Sequence, residues 1–246
     1  MAKPQLTIDN QAGFHNTSSG TRDRIIKGNT YKDQSTICVV PTRGVIPAKV
    51  VQSWMNLFNP MNQKFMRIFI TGMEVGEAYS QAIDQILAHP DLSKWKYVLS
   101  LEEDNMVPPD GLIKLIESIE GGVDGKKYDG MSGLYWTKGE GGQPMVYGNP
   151  AIFPKNFIPF MPAPDTVTEC NGLGMGFCLL RLSMLKDQKI ERPLFKTVQQ
   201  YKEGQGTAMF TQDLYFYQNA GRQGYKFAVD SRVKVGHFDL ENDVIW

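Results

Sequence analysis

The chain is poor in cysteine and histidine, with three of each among 246 residues. Cys38, Cys170 and Cys178 are too few for a disulfide framework and show no ligand spacing. Cys38 and Cys178 lie in apolar runs and read as buried thiols inside strands. No stretch approaches the ~20 apolar residues of a membrane-spanning helix. The opening residues Met1-Ala2-Lys3-Pro4-Gln5 lack the apolar core of a signal peptide, so the expected setting is soluble and cytoplasmic. Charge of one sign is also missing: 26 basic side chains balance 26 acidic ones. That balance argues against a dedicated nucleic-acid binder, though a local basic groove stays open. There is no internal repeat, no low-complexity tract and no Gly-Lys-Ser/Thr phosphate loop.

What is present is a buried-strand pattern that ends in acid. Tyr97-Val98-Leu99-Ser100-Leu101 is short, apolar and β-rich, and it runs directly into Glu102, Glu103 and Asp104. Pro108 and Pro109 close the turn, and a helix pattern resumes at Gly111. Acids at the carboxyl end of a buried strand face the crevice where open α/β sheets bind ligands. Adjacent carboxylates repel and are costly to desolvate without a counter-ion, and a divalent cation is the simplest one. Oxygen ligands suit Mg²⁺ or Mn²⁺. A solvated turn, with Asn105 or Asp110 near a helix N-terminus, would show the same residues.

The organisation around this motif divides the chain. Residues 1–34 are polar and aperiodic and read as an N-terminal extension. Residues 35–246 read as one domain with a nucleotide-binding half over about 35–120 and an acceptor-binding half over about 121–246. In the first half, strands are expected at Ser35–Pro41 and Lys64–Ile70. Helices are expected over Val45–Phe58 and Glu77–Ala88, on the spacing of Val50, Trp54, Ala78, Ala82, Ile83 and Ile86. Alternating strand and helix predicts a parallel sheet with right-handed crossovers. In the second half, 128–136 reads as a strand, while 138–165 is rich in Gly, Pro and aromatics and reads as functional loop. Gly172, Gly174 and Gly176 permit close backbone approach beside a strand. Thr211 suits a helix cap, with Asp213 in the first turn, where the dipole favours an ionised carboxylate. Two short strands are expected at Tyr225–Val229 and Val233–Val235, followed by Gly236-His237.

In this order the motifs resemble the GT-A fold nucleotide-sugar glycosyltransferases, especially the large family-2 type. Glu102-Glu103-Asp104 stands where that family carries Asp-x-Asp, and Gln212-Asp213 where it carries Glu-Asp. Gly236-His237 stands at its closing Gly-His, Gly174 to Phe177 before its acceptor site, and Pro41-Thr42-Arg43 at its nucleotide-base loop. The resemblance covers about 36–238. It implies a Rossmann-like, mostly parallel α/β sheet flanked by helices, with a mixed second half. It implies transfer of a sugar from a nucleoside diphosphate sugar to an acceptor hydroxyl, with Mn²⁺ or Mg²⁺ and inversion. Asp104, His237 and Glu102 would hold the metal, with Glu102 alternatively on a ribose hydroxyl. Glu102, Glu103, Pro41, Thr42 and Arg43 would contact the nucleotide, and Asp213 would be the base. The acceptor stays open among glycan, protein, lipid-linked sugar and modified nucleobase. Two departures stand out: Glu102 lengthens the first acid, and Gln212 removes a charge.

Further candidates are Tyr135, Trp136 and Tyr147 as a stacking floor, and Lys138 and Arg181 as phosphate contacts. Ordinary packing and solvated charge would explain the same residues. A nucleotidyltransferase of related fold, a non-catalytic nucleotide- or sugar-binding domain, and a structural protein whose acids cap helices remain as alternatives.

Overall fold

The computed structural model describes residues 5–10, 32–202 and 206–246. Its strands are β1 (Gln5–Asn10), β2 (Thr36–Thr42), β3 (Phe65–Thr71), β4 (Tyr97–Leu101), β5 (Asn105–Met106), β6 (Gly130–Leu134), β7 (Val146–Tyr147) and β8 (Val167–Cys170). They continue with β9 (Gly172–Leu173), β10 (Phe177–Arg181), β11 (Val198–Lys202), β12 (Gly206–Phe210), β13 (Phe227–Lys234), β14 (Gly236–Asp239) and β15 (Val244–Ile245). The helices are α1 (Ala48–Met55), α2 (Val75–Ala88), α3 (Gly111–Ile119), the single turn α4 (Leu182–Leu185) and α5 (Gln212–Arg222).

One eight-stranded sheet organises the molecule, in the order β1-β3-β2-β4-β10-β6-β13-β8. β3, β2 and β4 run parallel, as the alternating pattern predicts. β10 then enters antiparallel between β4 and β6, and β13 runs parallel to β6. The second half is therefore mixed, as expected. The extension at 1–34 contributes an edge strand, since β1 pairs antiparallel with β3; the remainder of it up to residue 31 lies outside the described residues. Tyr225–Val229 and Val233–Val235 belong to one strand, β13, whose pairing with β6 shifts between Asp230 and Lys234. Asp230 bridges that irregularity, because its carboxylate accepts hydrogen bonds from Ser118 Oγ at 2.6 Å and from the Arg232 backbone N–H at 3.0 Å.

The core follows from strand alternation. On β2, Ile37 and Val39 pack with Ala82, Ile83 and Ile86 of α2 and with Phe216 and Ala220 of α5. Cys38 and Val40 point to the opposite face, against Trp54 of α1 and Leu112, Leu115 and Ile119 of α3. A strand buried on both faces is what an apolar run without polar alternation specifies. All three cysteines are buried free thiols, and burial pushes Cys38 and Cys178 up to about 12, which makes them inert.

The spaced glycines are close-approach positions. A Cβ on Gly174 would lie 2.1 Å from the Tyr135 hydroxyl, and one on Gly176 would lie 2.5 Å from the Asn105 amide oxygen. Gly174→Ala should therefore destabilise the fold by roughly 1–3 kcal/mol through overpacking. At roughly 2–4 °C per kcal/mol for a chain of this size, a thermal melt reads the effect directly. An unchanged melting temperature would show that the strand ends are not packed this tightly.

Candidate active site

The carboxyl ends of β2, β3 and β4 open into a pocket of about 450 Å³. It is lined by Pro41, Thr42 and Arg43 after β2, by Met73 and Val75 at the start of α2, by Glu102, Glu103 and Asp104 after β4, and by Lys138 and Gln212. Residues more than 170 positions apart in sequence thus meet where parallel strands end, which is the ligand crevice of open α/β sheets.

Backbone pairing explains how the acids and the late histidine come together. β5 pairs antiparallel with β14, placing His237 opposite Asn105. The Phe238 backbone N–H also donates to the Asp104 carbonyl at 2.7 Å. His237 Nε2 then stands 3.4 Å from Asp104 Oδ2. Its Nδ1 lies 2.7 Å from the Trp136 carbonyl oxygen. A carbonyl only accepts, so Nδ1 carries the proton, and the Nε2 edge faces a carboxylate oxygen. That contact is favourable only with a cation between the two atoms, either a proton on Nε2 or a metal ion. Backbone orientation of the second ring nitrogen is the usual support of a metal-ligating histidine. Two ligands at 90–110° around an ion with ~2.1 Å bonds stand roughly 3.0–3.4 Å apart, so the pair fits one divalent ion. Among the described residues no three His, Cys, Asp or Glu side chains form a ready cage. Of the expected ligands Glu102, Asp104 and His237, the structure brings Asp104 and His237 within 3.4 Å of each other.

The three acids have separate roles. Glu103 is buried, and it accepts from the Thr42 hydroxyl at 2.6 Å, the Arg43 backbone N–H at 2.8 Å and Arg43 Nε. Its oxygens hold the loop after β2 in place, and the residue also lines the pocket, where it was expected as a nucleotide contact. Burial would raise Asp104, but hydrogen bonds from His237 and from Lys138 Nζ at 2.6 Å outweigh it and hold the carboxyl at about 2. Glu102 goes the other way. Burial first, then the charges of Asp104 and Asp213, push it up to about 8 against the Tyr79 hydroxyl and Lys138, which pull it down. A carboxyl raised in this way can, when protonated, donate a hydrogen bond as well as accept one.

This has a measurable consequence for the metal-free protein. The unfolded chain releases the Glu102 proton near 4.5, and the folded chain keeps it to about 8. The contribution to stability is complete below pH 4.5 and is lost as pH rises through 8, with a slope of up to ~1.4 kcal/mol per unit. In EDTA, the melting temperature should fall over this window, and Glu102→Gln should flatten the fall. Identical pH profiles for the two proteins would refute the assignment.

Asp213 lies in the first turn of α5, 4% exposed. Thr211 is at the cap position but makes no side-chain bond to the helix backbone. Its hydroxyl donates to Asp213 Oδ1, which also accepts the Leu214 N–H at 2.9 Å. Burial nevertheless raises the Asp213 carboxyl above its ordinary value, outweighing those bonds. The expectation that the helix start favours ionisation is thus reversed in sign. A raised carboxyl is a stronger base once ionised. The charge of Asp213 is felt at Glu102, Tyr135 and Tyr147, and its neighbour Gln212 lines the pocket.

Other candidates sort clearly. Tyr135 is 1% exposed and its hydroxyl accepts the Gly176 N–H at 2.8 Å, so it packs and does not stack on a ligand. Tyr147 and Trp136 are half-buried. Arg181 is at the other end of the sheet, opposite Tyr97. Its guanidinium is used by Glu120 at 2.6 Å and by the Tyr128 and Ile119 carbonyls at 2.7 and 2.8 Å, so it is no phosphate contact here. Met73, Val75 and Tyr79 were not anticipated. The signal for them was the end of β3: Gly72 has φ +79°, and Glu74 caps α2 by accepting from the Gly76 and Glu77 N–H groups.

No protein-family model matches the sequence, and no curated protein matches it significantly. Among solved structures, protein A197 from STIV superposes with a TM-score of 0.57 at 18% identity, over 86% of this chain and 93% of that one. The S. aureus TarS 1–349 structure aligns with a TM-score of 0.45 at 13% identity, over 82% of this chain and 59% of that one. No helix among the described residues is long and apolar enough to cross a membrane. The mixed sheet with helices on both faces, shared with A197, is an α/β fold of the GT-A, Rossmann-like kind.

Proposed function

We propose that this chain is a metal-dependent glycosyltransferase that moves a sugar from a nucleoside diphosphate sugar to an acceptor hydroxyl with inversion. The observation that carries this reading is the Asp104–His237 pair, 3.4 Å apart, with Asp104 lining the pocket at the strand ends.

In this reading Pro41, Thr42 and Arg43 receive the nucleotide base, with Met73 and Val75 as apolar wall. Glu103 keeps that loop rigid, so binding costs less ordering of the chain. Asp104 and His237 would hold Mn²⁺ or Mg²⁺, and the imidazole favours Mn²⁺. The ion, when bound, neutralises charge developing on the leaving diphosphate. Glu102, whose carboxyl is raised by burial and by the charges of Asp104 and Asp213, would contact a ribose or sugar hydroxyl. Asp213 accepts the proton of the attacking acceptor hydroxyl on the opposite side.

The test is a thermal-shift screen of UDP, GDP and other nucleoside diphosphates with and without Mn²⁺. A ligand that binds only the folded state stabilises it by about 2.7 kcal/mol at a hundredfold excess over its Kd. At least one nucleotide should raise the melting temperature by several degrees, and only with Mn²⁺ present. A screen without any metal-dependent shift would reject the reading.

A further inference from the structure

Glu103 and Asp104 of the acidic motif each already have a partner of opposite sign. Glu103 is taken by Arg43, and Asp104 Oδ2 accepts from Lys138 Nζ at 2.6 Å. Oδ2 is also the oxygen that faces His237 Nε2. The ammonium therefore bonds the very oxygen a divalent ion would share with His237. Two cations beside one oxygen repel strongly in a partly enclosed site. Lys138 and a metal ion are alternatives at that atom.

Lys138 is also placed to do something else. It lines the pocket together with Arg43, across from the α2 start. Its side chain is 33% exposed and reaches Asp104 with its terminal ammonium. Its backbone lies in a fixed loop: the Thr137 N–H donates to the Gln143 carbonyl at 2.9 Å, and the Gly142 N–H to the Gly139 carbonyl at 3.1 Å. The Gln143 N–H closes the loop on Thr137 Oγ1 at 2.9 Å. Gly142 is required there, since a Cβ would lie 2.5 Å from the Thr137 carbonyl. Movement at this position is thus a side-chain swing about a fixed anchor, from a carboxylate toward the pocket.

Building on the metal-dependent reading above, we propose that Lys138 is an internal cation that occupies Asp104 in the empty enzyme and transfers to the donor's diphosphate when the metal enters. The empty site then rejects free metal, and metal and diphosphate bind as a coupled pair. The coupling is reciprocal by linkage: each raises the other's affinity by the same factor. Lys138 then becomes a diphosphate contact for the leaving group, a role for which a lysine acts as a mobile point charge.

The experiment measures Mn²⁺ binding by the electron-paramagnetic-resonance signal of free Mn²⁺, with inorganic pyrophosphate as the diphosphate probe. Wild type is compared with Lys138→Met and Lys138→Ala, after thermal melts establish that both variants are folded. Without pyrophosphate, both variants should bind Mn²⁺ at least ~10-fold more tightly than wild type, because Asp104 is released. With pyrophosphate, wild type should gain Mn²⁺ affinity by a larger factor than either variant. Equal Mn²⁺ affinity of wild type and variants without pyrophosphate would overturn the role of Lys138 while leaving the metal site intact. Absence of Mn²⁺ binding in all three proteins, with and without pyrophosphate, would overturn the metal reading and this inference with it.

Discussion

Asp104→Asn should abolish the Mn²⁺-dependent stabilisation by nucleotides and lower sugar transfer by roughly 10²–10³-fold or more, on the scale of losing one pre-organised electrostatic group. The substitution keeps shape but removes the negative charge that both His237 Nε2 and Lys138 Nζ address. The fold should tolerate it, because the backbone of Asp104 is held independently by the Phe238 N–H. His237→Ala should produce the same loss of metal dependence, since the two side chains act on one ion. Near-additive losses from the two substitutions would argue against a shared ion, as groups acting as a unit are non-additive. A full nucleotide shift with Mn²⁺ in Asp104→Asn would remove Asp104 from the site altogether.

The parts of this molecule written in local pattern were legible in the sequence. β2, β3 and β4 are apolar runs bounded by turn residues, and α1, α2 and α3 carry apolar stripes at helical spacing. The position of Glu102, Glu103 and Asp104 at a strand end followed from the same pattern, and so did the crevice. What the sequence did not carry was the partner of each acid. All three look alike in a string, yet Glu103 turns inward to Thr42 and Arg43, Asp104 meets His237 and Lys138, and the Glu102 carboxyl is raised by its surroundings. Those differences arise from residues about 34, 60 and 133 positions away, brought together by the fold. The β5–β14 ladder that delivers His237 has a two-residue strand on one side, too short to leave a periodic signal. Arg181 shows the converse error. A basic residue after a Gly-rich strand resembles a phosphate contact, but β10 runs antiparallel to β4, so its C-terminal end lies away from the crevice. Lys138 could not be separated from an ordinary surface lysine, because its significance depends on the 2.6 Å approach to Asp104.

Asp213→Asn should lower turnover by ~10²–10⁴-fold, the usual worth of a positioned base, while nucleotide affinity stays within about twofold of wild type. The asparagine keeps the acceptor oxygen for the Thr211 hydroxyl and the Leu214 N–H, so the start of α5 is preserved. It cannot take up a proton. The pocket wall at Gln212, packed against Gly76 of α2, is untouched, which is why donor binding survives. A loss confined to turnover marks an interaction made in the transition state. The pH profile supplies a second reading. Burial raises the Asp213 carboxyl, so wild-type turnover should climb with pH through a point above the ordinary aspartate value. Asp213→Asn should lose that limb. Parallel losses of nucleotide affinity and turnover would make Asp213 a structural residue of the α5 start. A product that keeps the donor's anomeric configuration would remove the need for a base on that face and would end the inverting assignment.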